Sequence, residues 1–336
     1  MHFINPQIRI DKLSLNFEMP PDAPGIIFAV GKNKTSDAMI RFNSRGLQTA
    51  ILILFINISC THPDVSLLPP PSAQEYARGM FEFTPHTVIS VEDETQREVA
   101  DWFAWLFASP AGFVPKVFVG ADNPDMIIKT DAALPAEAYR IKVTSHKITI
   151  EASSSDGVFY ALQTLRFALP SEISRKDYVG RRTWNVPAMK VEDAPGYGHR
   201  CLSLDLTERY VPVDRIIEFI DCMAMLKLNN LHLVTGPDGG YTREEYDMIM
   251  DFASESHISV TPASAVCCNN MYMFPDADAS EIFPEIAALA YVAWTGKELA
   301  DVMHFNESVD RFKEHLRHRG LYDPDIIYKV AVAELK

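Results

Sequence analysis

The sequence has few basic residues, no C-x-x-C motif and no long apolar run. Lys and Arg number 31 against 45 Asp and Glu, which gives a formal net charge of −14. This balance argues against a nucleic-acid-binding protein, because phosphate contacts need a concentrated surface of Lys and Arg. The absence of any run of about 20 apolar residues argues against a membrane-spanning helix. Without C-x-x-C pairs among the 5 cysteines, neither a zinc ribbon nor a thioredoxin-like redox site is predicted.

Residues 39–60 have the order of a bacterial export signal. Arg41 and Arg45 follow a Met, a short apolar stretch comes next, and Cys60 follows a small residue. This pattern predicts that Met39 is the true start, that residues 1–38 are a non-native upstream extension, and that Cys60 is lipidated after cleavage. The expected location is therefore outside the cytoplasm, as a periplasmic or membrane-anchored bacterial lipoprotein.

Two features of this region leave other interpretations open. Asn57 stands where a lipoprotein signal usually has Leu, and the apolar residues 50–56 could equally form a buried strand or helix. The Pro-rich segment 61–76 is typical of an unstructured tether.

Residues 66–180 show the alternating strand and helix patterns of a small α+β domain. The helix patterns begin after acidic residues, and Asp156 is the expected N-cap of the second helix. Strands are predicted over 81–91, 116–120 and 126–129 and in a hairpin over 139–152, with helices over 95–107 and 156–169.

A second domain is predicted over residues 187–336, after a charged segment broken by Gly180 and Pro187. Its strand and helix patterns alternate as in the parallel β/α units that build TIM barrels. A complete barrel needs about 250 residues, whereas only about 147 run from Lys190 to the C-terminus. The fold class predicted is therefore an α+β domain followed by a partial barrel that lacks its central and later strands. The predicted strands are 200–206, 231–235 and 258–261, and the predicted helices are 212–226, 242–256, 282–294 and 302–319.

Four segments carry a family resemblance. Residues 137–170 (EAYRIKVTSHKITIEASSSDGVFYALQTLRFALP) and 186–233 (VPAMKVEDAPGYGHRCLSLDL through LNNLHL) resemble the junction between the two domains of family 20 glycoside hydrolases, the β-N-acetylhexosaminidases. Residues 67–83 resemble the start of that family's small domain, and residues 283–298 resemble the last helix of its barrel. The resemblance implies hydrolysis of terminal β-linked N-acetylglucosamine or N-acetylgalactosamine, in which the substrate's own acetamido group attacks the anomeric carbon.

The family's chemistry needs an adjacent Asp-Glu pair at the end of a barrel strand, where Asp orients the acetamido group and Glu protonates the leaving oxygen. The only Asp-Glu dipeptide is Asp93-Glu94. It lies in the small domain, just before a predicted helix where acidic side chains are favoured anyway. No catalytic residue is therefore assigned, and the chain is expected to be truncated and impaired.

The resemblance also implies substrate-binding positions. Arg200 matches an Arg that holds the sugar's hydroxyl groups, a task that suits the fixed fork of a guanidinium. Asp205, His232 and Asp238 match further family positions, although the residues around them depart from its pattern at 207–209, Val234 and Pro237, and at 263–269.

Two classes of function follow from these features. The first is an exported hexosaminidase-family protein without its catalytic half, acting on an N-acetylhexosamine-containing glycan. The alternative is a non-catalytic carbohydrate-binding or scaffolding protein. Either could form a homodimer through an exposed barrel edge or be tethered to a membrane through Cys60.

A metal site receives little support from the sequence. His315 and His318 share a predicted helix, but no H-E-x-x-H motif is present and basic neighbours such as Arg311 and Arg317 would repel a cation. No metal or cofactor is predicted.

Overall fold

The computed structural model describes residues 65–206, 210–235, 240–263, 271–273, 283–297 and 302–321, which form two β-sheets with helices. Among these residues, no helix combines the length and apolar composition that crossing a bilayer requires. Cys60, Asp238 and the predicted export signal lie outside the described residues.

The first sheet has seven strands in the order β1-β7-β5-β6-β4-β2-β3. Neighbours from β1 to β6 are antiparallel, and those from β6 to β3 are parallel. In β5, Tyr139, Ile141 and Val143 are buried while the residues between them are exposed, which is the period of 2 that a strand imposes. The strands are β1 (Ala73–Phe83), β2 (Val88–Val91), β3 (Lys116–Val119), β4 (Met126–Thr130), β5 (Tyr139–Val143), β6 (Ile148–Ala152) and β7 (Trp184–Asp193).

Three helices belong to this part of the chain: α1 (Glu94–Trp105), α2 (Ala108–Ala111) and α3 (Ser155–Ala168). Ser154 is the N-cap of α3, where its hydroxyl accepts a hydrogen bond from the amide of Gly157 at 3.2 Å. Every residue from Gly157 to Ala168 is buried, because α3 packs on the sheet on one side and on a helix of the second domain on the other.

Four expectations about this region need correction. The predicted strand 81–91 is two strands, separated by a turn in which the Thr84 amide donates to the Thr87 hydroxyl. Ser154, rather than Asp156, caps α3. Strand β7 crosses the predicted domain boundary, since its backbone pairs with β1 and β5, so the small domain extends to Asp193.

The predicted tether is the fourth correction. Leu67 and Leu68 are buried in the apolar core, and residues from Ala73 onward form β1. Burial of two adjacent leucines holds this segment against the domain, so its later half is part of the fold rather than a spacer.

The second sheet has four parallel strands in the order β10-β9-β8-β11. They are β8 (Cys201–Leu206), β9 (Asn230–Thr235), β10 (Ser259–Ala263) and β11 (Met271–Met273), with α4 (Val213–Met225) and α5 (Arg243–Glu255) in the connections. Thr242 and Glu245 form the capping box that starts α5. The predicted order of three strands and two helices is confirmed, whereas the three-residue β11 gives no periodic signal and was not predicted.

The two faces of this sheet differ in polarity. Leu202, Leu204, Leu231 and Leu233 are buried in the apolar core on one face. The alternate positions, which face the other way, include Cys201, Ser203, Asn230 and His232. An α+β domain followed by parallel β/α units is therefore the architecture of the described chain.

A buried carboxylate joins the two domains. Asp193 Oδ2 accepts from Tyr139 Oη at 2.6 Å, from Lys227 Nζ at 3.0 Å and from Trp294 Nε1 at 3.0 Å. Trp294 lies on α6 (Phe283–Thr295), so this one side chain connects the first sheet, the loop before β9 and a C-terminal helix.

A second buried ion pair holds α3 against α4. Arg166 donates to both oxygens of Asp221 at 2.9 and 2.8 Å, and burial lowers the pKa of Arg166 to about 10. On α7 (Val302–His318), Arg311 donates to the last carbonyl groups of α3, at Phe167 and Leu169. The C-terminal helices are thus docked on the small domain through specific hydrogen bonds.

Candidate functional site

Arg200, predicted to bind the sugar, is fully enclosed by protein groups. Its Nε donates to the Lys227 carbonyl at 2.7 Å, and its Nη1 donates to the Tyr197 carbonyl at 2.8 Å and to Glu137 at 3.2 Å. Its Nη2 donates to Glu137 at 2.7 Å and to the Tyr160 hydroxyl at 3.0 Å. The guanidinium carbon also lies 4.9 Å from the centre of the Trp294 ring.

These contacts use all five N–H donors of a guanidinium. A sugar hydroxyl could bind Arg200 only by displacing one of them. Arg200 also precedes β8, whereas TIM-barrel active sites lie beyond the carboxyl ends of the strands. The sugar-binding role stays a prediction, and the geometry shows Arg200 holding the small domain to the first parallel strand.

The other predicted site residues lie on or beyond the second sheet. The backbone of Asp205 in β8 pairs with that of Val234 in β9, and the structure does not describe the Asp205 side chain. His232 is in β9, opposite Ser203. By register His232 lies on the same face of the sheet as Ser203, and Arg200 belongs to the opposite face, so Arg200 and His232 do not share one surface.

The Asp93-Glu94 dipeptide has a structural role. Asp93 is the N-cap of α1, where its Oδ1 accepts from the amide of Gln96 at 2.8 Å, and Glu94 is the first helical residue. The expectation that these acidic residues belong to a helix start agrees with this geometry.

A groove of about 500 Å³ opens between the small domain and the start of the parallel strands. Asn230 and Ser259, on its wall, are the first residues of β9 and β10. It therefore lies at the opposite end of the strands from a TIM-barrel active site. Its other lining residues include Glu137, Asp156, Tyr160, Asn229 and His257.

A histidine–carboxylate pair crosses this groove. His257 Nδ1 lies 2.5 Å from Asp156 Oδ1, and the imidazole stacks on Phe159 with ring centres 4.4 Å apart. The hydrogen bond to His257 lowers the pKa of Asp156, against the opposing effect of burial. Sequence reasoning missed this pair because its members are about 101 residues apart and on different domains.

The His315-x-x-His318 spacing does not form a metal site. The His315 ring is buried, with Nδ1 2.9 Å from the Ser174 hydroxyl, and it stacks on Phe167. Burial lowers the pKa of His315 well below its usual value, and the nearby charges of Arg311 and Arg166 lower it further. His315 is therefore a histidine of the buried core.

Comparison with known families gives two adjoining matches. The model of "Glycosyl hydrolase family 20, domain 2" matches residues 64–194, and that of "Glycosyl hydrolase family 20, catalytic domain" matches residues 197–240. The first ends beside Asp193, the last residue of β7, which supports the extended limit of the small domain.

Curated relatives and solved structures agree with these matches. A beta-hexosaminidase of Porphyromonas gingivalis is 26% identical over 59% of this chain and 30% of its own length. A beta-N-acetylhexosaminidase of Cellulomonas fimi is 32% identical over 53% of this chain and 36% of its own. The chain thus spans about a third of the length of these relatives.

A solved Streptomyces plicatus beta-hexosaminidase in complex with product (GlcNAc) has a TM-score of 0.54 and 26% identity, over 60% of this chain and 46% of that one. The Streptomyces coelicolor A3(2) enzyme, at 23% identity and a TM-score of 0.53, shares the fold over 76% of this chain and 65% of its own. With consecutive matches to two domains of one family and relatives that bear its name, the chain belongs to glycosyl hydrolase family 20.

Proposed function

We propose that this chain is a β-N-acetylhexosaminidase-family protein for terminal β-linked N-acetylhexosamine whose barrel is partial and whose hydrolysis is strongly impaired. The described residues supply four parallel strands, whereas a complete barrel has eight. The catalytic-domain match ends at residue 240, soon after β9. Both observations support a barrel that keeps its first units and lacks the strands that follow.

The main support for the proposal is that Asp93 and Glu94 lie in the small domain, at the start of α1. Substrate-assisted hydrolysis needs one carboxyl group to hold the acetamido group and another to protonate the leaving oxygen. The only Asp-Glu dipeptide caps α1 of the small domain, where Asp93 already accepts a backbone hydrogen bond. General acid catalysis alone contributes about 10²–10⁴-fold, so losing the positioned acid removes most of the rate.

A chromogenic assay of the full chain tests this proposal. We expect hydrolysis of an aryl N-acetyl-β-glucosaminide at less than about a thousandth of the rate of an intact family member. Asp93→Asn keeps the helix cap, because Asn caps as well as Asp does, and Glu94→Gln changes only a charge. Neither should alter the residual rate. Rapid turnover that Glu94→Gln abolishes would show that the dipeptide is catalytic and would refute the proposal.

Sugar binding without hydrolysis is the second candidate function. The polar groove beside Asp156 and His257 is the observation that favours it, since carboxylate, amide and imidazole groups there could accept and donate hydrogen bonds. Calorimetric titration with N-acetylglucosamine distinguishes it. Binding that Asp156→Asn weakens, without turnover, supports a carbohydrate-binding protein. If the titration shows no heat of binding, this candidate is excluded.

Export, lipidation and self-association complete the proposal. Mass spectrometry of the protein from its native host should find a mature N-terminus at Cys60, and peptides from residues 1–38 would contradict this. A homodimer would be held by the outer strands of the second sheet, β10 and β11, because an edge strand offers unpaired backbone groups. Light scattering of the purified chain should give twice the 37.8 kDa chain mass; a monomer would refute dimerisation.

A further inference from the structure

Three side chains of metal-binding type converge where the parallel strands of the second sheet begin. The ligand atoms of His199, Cys201 and His232 all lie within 4.8 Å of one another. The two imidazole rings are 6.2 Å apart between centres. His199 is exposed, and Cys201 and His232 are partly buried, so the cluster is open to solvent on one side.

The topology explains why these residues meet. His199 and Cys201 are two positions apart, so extended backbone directs both side chains to the same side. In the parallel pairing of β8 and β9, Cys201 lies beside Asn230 and Ser203 beside His232. Cys201 and His232 are therefore diagonal neighbours on one face, within reach of an imidazole.

The positive charge nearest in sequence is directed elsewhere. Arg200 lies between His199 and Cys201, but its guanidinium is held on the other side of the strand by Glu137 at 2.7 Å and by Tyr160. The Glu137 carboxylate balances its charge. The cluster can therefore accept a cation without a facing, uncompensated guanidinium.

We propose that His199, Cys201 and His232 form a binding site for Zn²⁺. One thiolate and two neutral imidazoles are the ligand types that zinc takes in proteins, and three protein ligands leave the fourth tetrahedral position to water. An ion at the centre of a triangle with 4.8 Å edges lies about 2.8 Å from each corner, against roughly 2.0–2.3 Å in zinc–nitrogen and zinc–sulfur bonds. Binding would therefore draw the three side chains closer together.

Ser203 provides an independent observation at the same face. Its hydroxyl is buried and has no hydrogen-bond partner in the part of the chain that the structure describes. Buried hydroxyls normally have one, because an unpaired buried hydroxyl keeps its full desolvation penalty. Ser203 is two residues beyond Cys201 on the same face and beside His232. A water on the fourth zinc position would give its hydroxyl a partner.

Binding has a defined proton balance. The Cys201 thiol donates weakly to the Leu202 carbonyl at 3.4 Å. Zinc replaces the thiol proton, which passes to solvent, so binding one Zn²⁺ forms one Zn–S bond and releases one proton. This site requires no glycosidase activity, and its success or failure is independent of the proposed function.

The test titrates the full chain with Zn²⁺ against a chromophoric chelator, under reducing conditions. We expect one zinc per chain and protection of Cys201 from iodoacetamide, read by mass spectrometry of its peptide. Cys201→Ser, His199→Ala and His232→Ala should each weaken binding by at least about tenfold, because even outer-shell changes cost 10–100-fold. His199 is exposed in a loop, so His199→Ala should keep the wild-type far-ultraviolet circular dichroism spectrum.

Two controls test the assignment to this cluster. Cys222→Ala removes a buried thiol on α4, and His146→Ala removes an exposed imidazole in the β5–β6 turn; neither should change zinc affinity. Zinc binding by Cys201→Ser within about twofold of wild type would overturn the proposal. An equal loss in either control would also overturn it, because the metal would then be held by other groups.

Discussion

Removal of the Asp193 carboxylate should be among the most destabilising single changes in this chain. Its Oδ2 accepts from Lys227, Tyr139 and Trp294, and its Oδ1 accepts from the amides of Ser72 and Ala194 at 3.0 Å each. The side chains of Asp193 and Lys227 are 0% and 2% exposed. Asp193→Ala would leave the Lys227 ammonium buried without its anion.

The magnitude follows from this burial. Removing one partner of a buried ion pair costs about 3–5 kcal/mol, because the remaining charge keeps its desolvation penalty. Burial already lowers the pKa of Lys227, and Asp193 is the group that opposes this shift. Because the entropy of unfolding is about 2.1 cal/mol/K per residue, the melting temperature of this 336-residue chain should fall by roughly 4–7 °C.

Urea unfolding followed by circular dichroism measures the effect. Glu75→Ala is the matched control. It removes an exposed salt bridge to Lys190, which lies on β7 as Asp193 does; the two charged groups are 3.7 Å apart, and the Glu75 and Lys190 side chains are 75% and 64% exposed. Such exposed pairs contribute about 0–1 kcal/mol. Equal losses in Asp193→Ala and Glu75→Ala would refute the reasoning.

A double variant separates the charge from the packing. Lys227→Met removes the buried ammonium, so Asp193→Ala should cost less in that background than in the wild type. Coupling energies between contacting groups are about 0.5–3 kcal/mol. A coupling of zero would show that Asp193 stabilises the fold through its hydrogen bonds from Tyr139, Trp294 and the backbone amides, and not through the charge of Lys227.

Three further predictions concern stability and pH. Gly157→Ala should lower the free energy of unfolding, because the new Cβ would lie 2.7 Å from the Ala138 carbonyl oxygen; an unchanged urea midpoint would contradict this. His257 lowers the pKa of Asp156 in the folded state, so the stabilisation from this pair is present above about pH 4 and is lost as the pH falls through the lowered pKa. Asp156→Asn should remove this dependence of the free energy of unfolding on acid pH. Persistence of the same slope would contradict the assignment. The pKa of buried His315 is lowered, so wild-type stability should fall as the pH drops below about 6.5; His315→Gln should flatten this slope in urea titrations, whereas an unchanged slope would assign it to other groups.

Local patterns predicted most of the secondary structure, because each element has a signal within its own residues. The capping box of Thr242 and Glu245 and the alternation of Tyr139–Val143 are such signals. The domain boundary was placed too early because Gly180 and Pro187 interrupt the sequence. Pro187 lies in β7 where the pairing with β1 shifts register, since Pro187 pairs with Met80 and Met189 pairs with Tyr76. A strand accepts proline at such an irregularity.

The two side-chain clusters form only through strand pairing and domain docking, which local sequence patterns do not show. Cys201 and His232 become neighbours only through the register of β8 on β9, and Asp156 meets His257 only when the two domains dock. The resemblance of four segments therefore indicated the family, whereas residue types and their spacing along the chain could not predict either cluster. The same limit applied to the role of Arg200, which depends on Glu137, 63 residues earlier.

The contacts of Arg200 give it a structural role that does not depend on a bound sugar. Arg200 does not face the side of β8 that carries Cys201 and Ser203, because alternate side chains of a strand point to opposite faces of the sheet. Arg200 instead contacts Glu137 ahead of β5 and Tyr160 on α3, both in the small domain. Its burial there makes loss of the guanidinium costly, since Glu137 would keep a partly buried negative charge without its cation, and only the Asn229 amide would still donate to it. Docking of the two domains therefore gives a physical reason for this arginine that is separate from sugar binding.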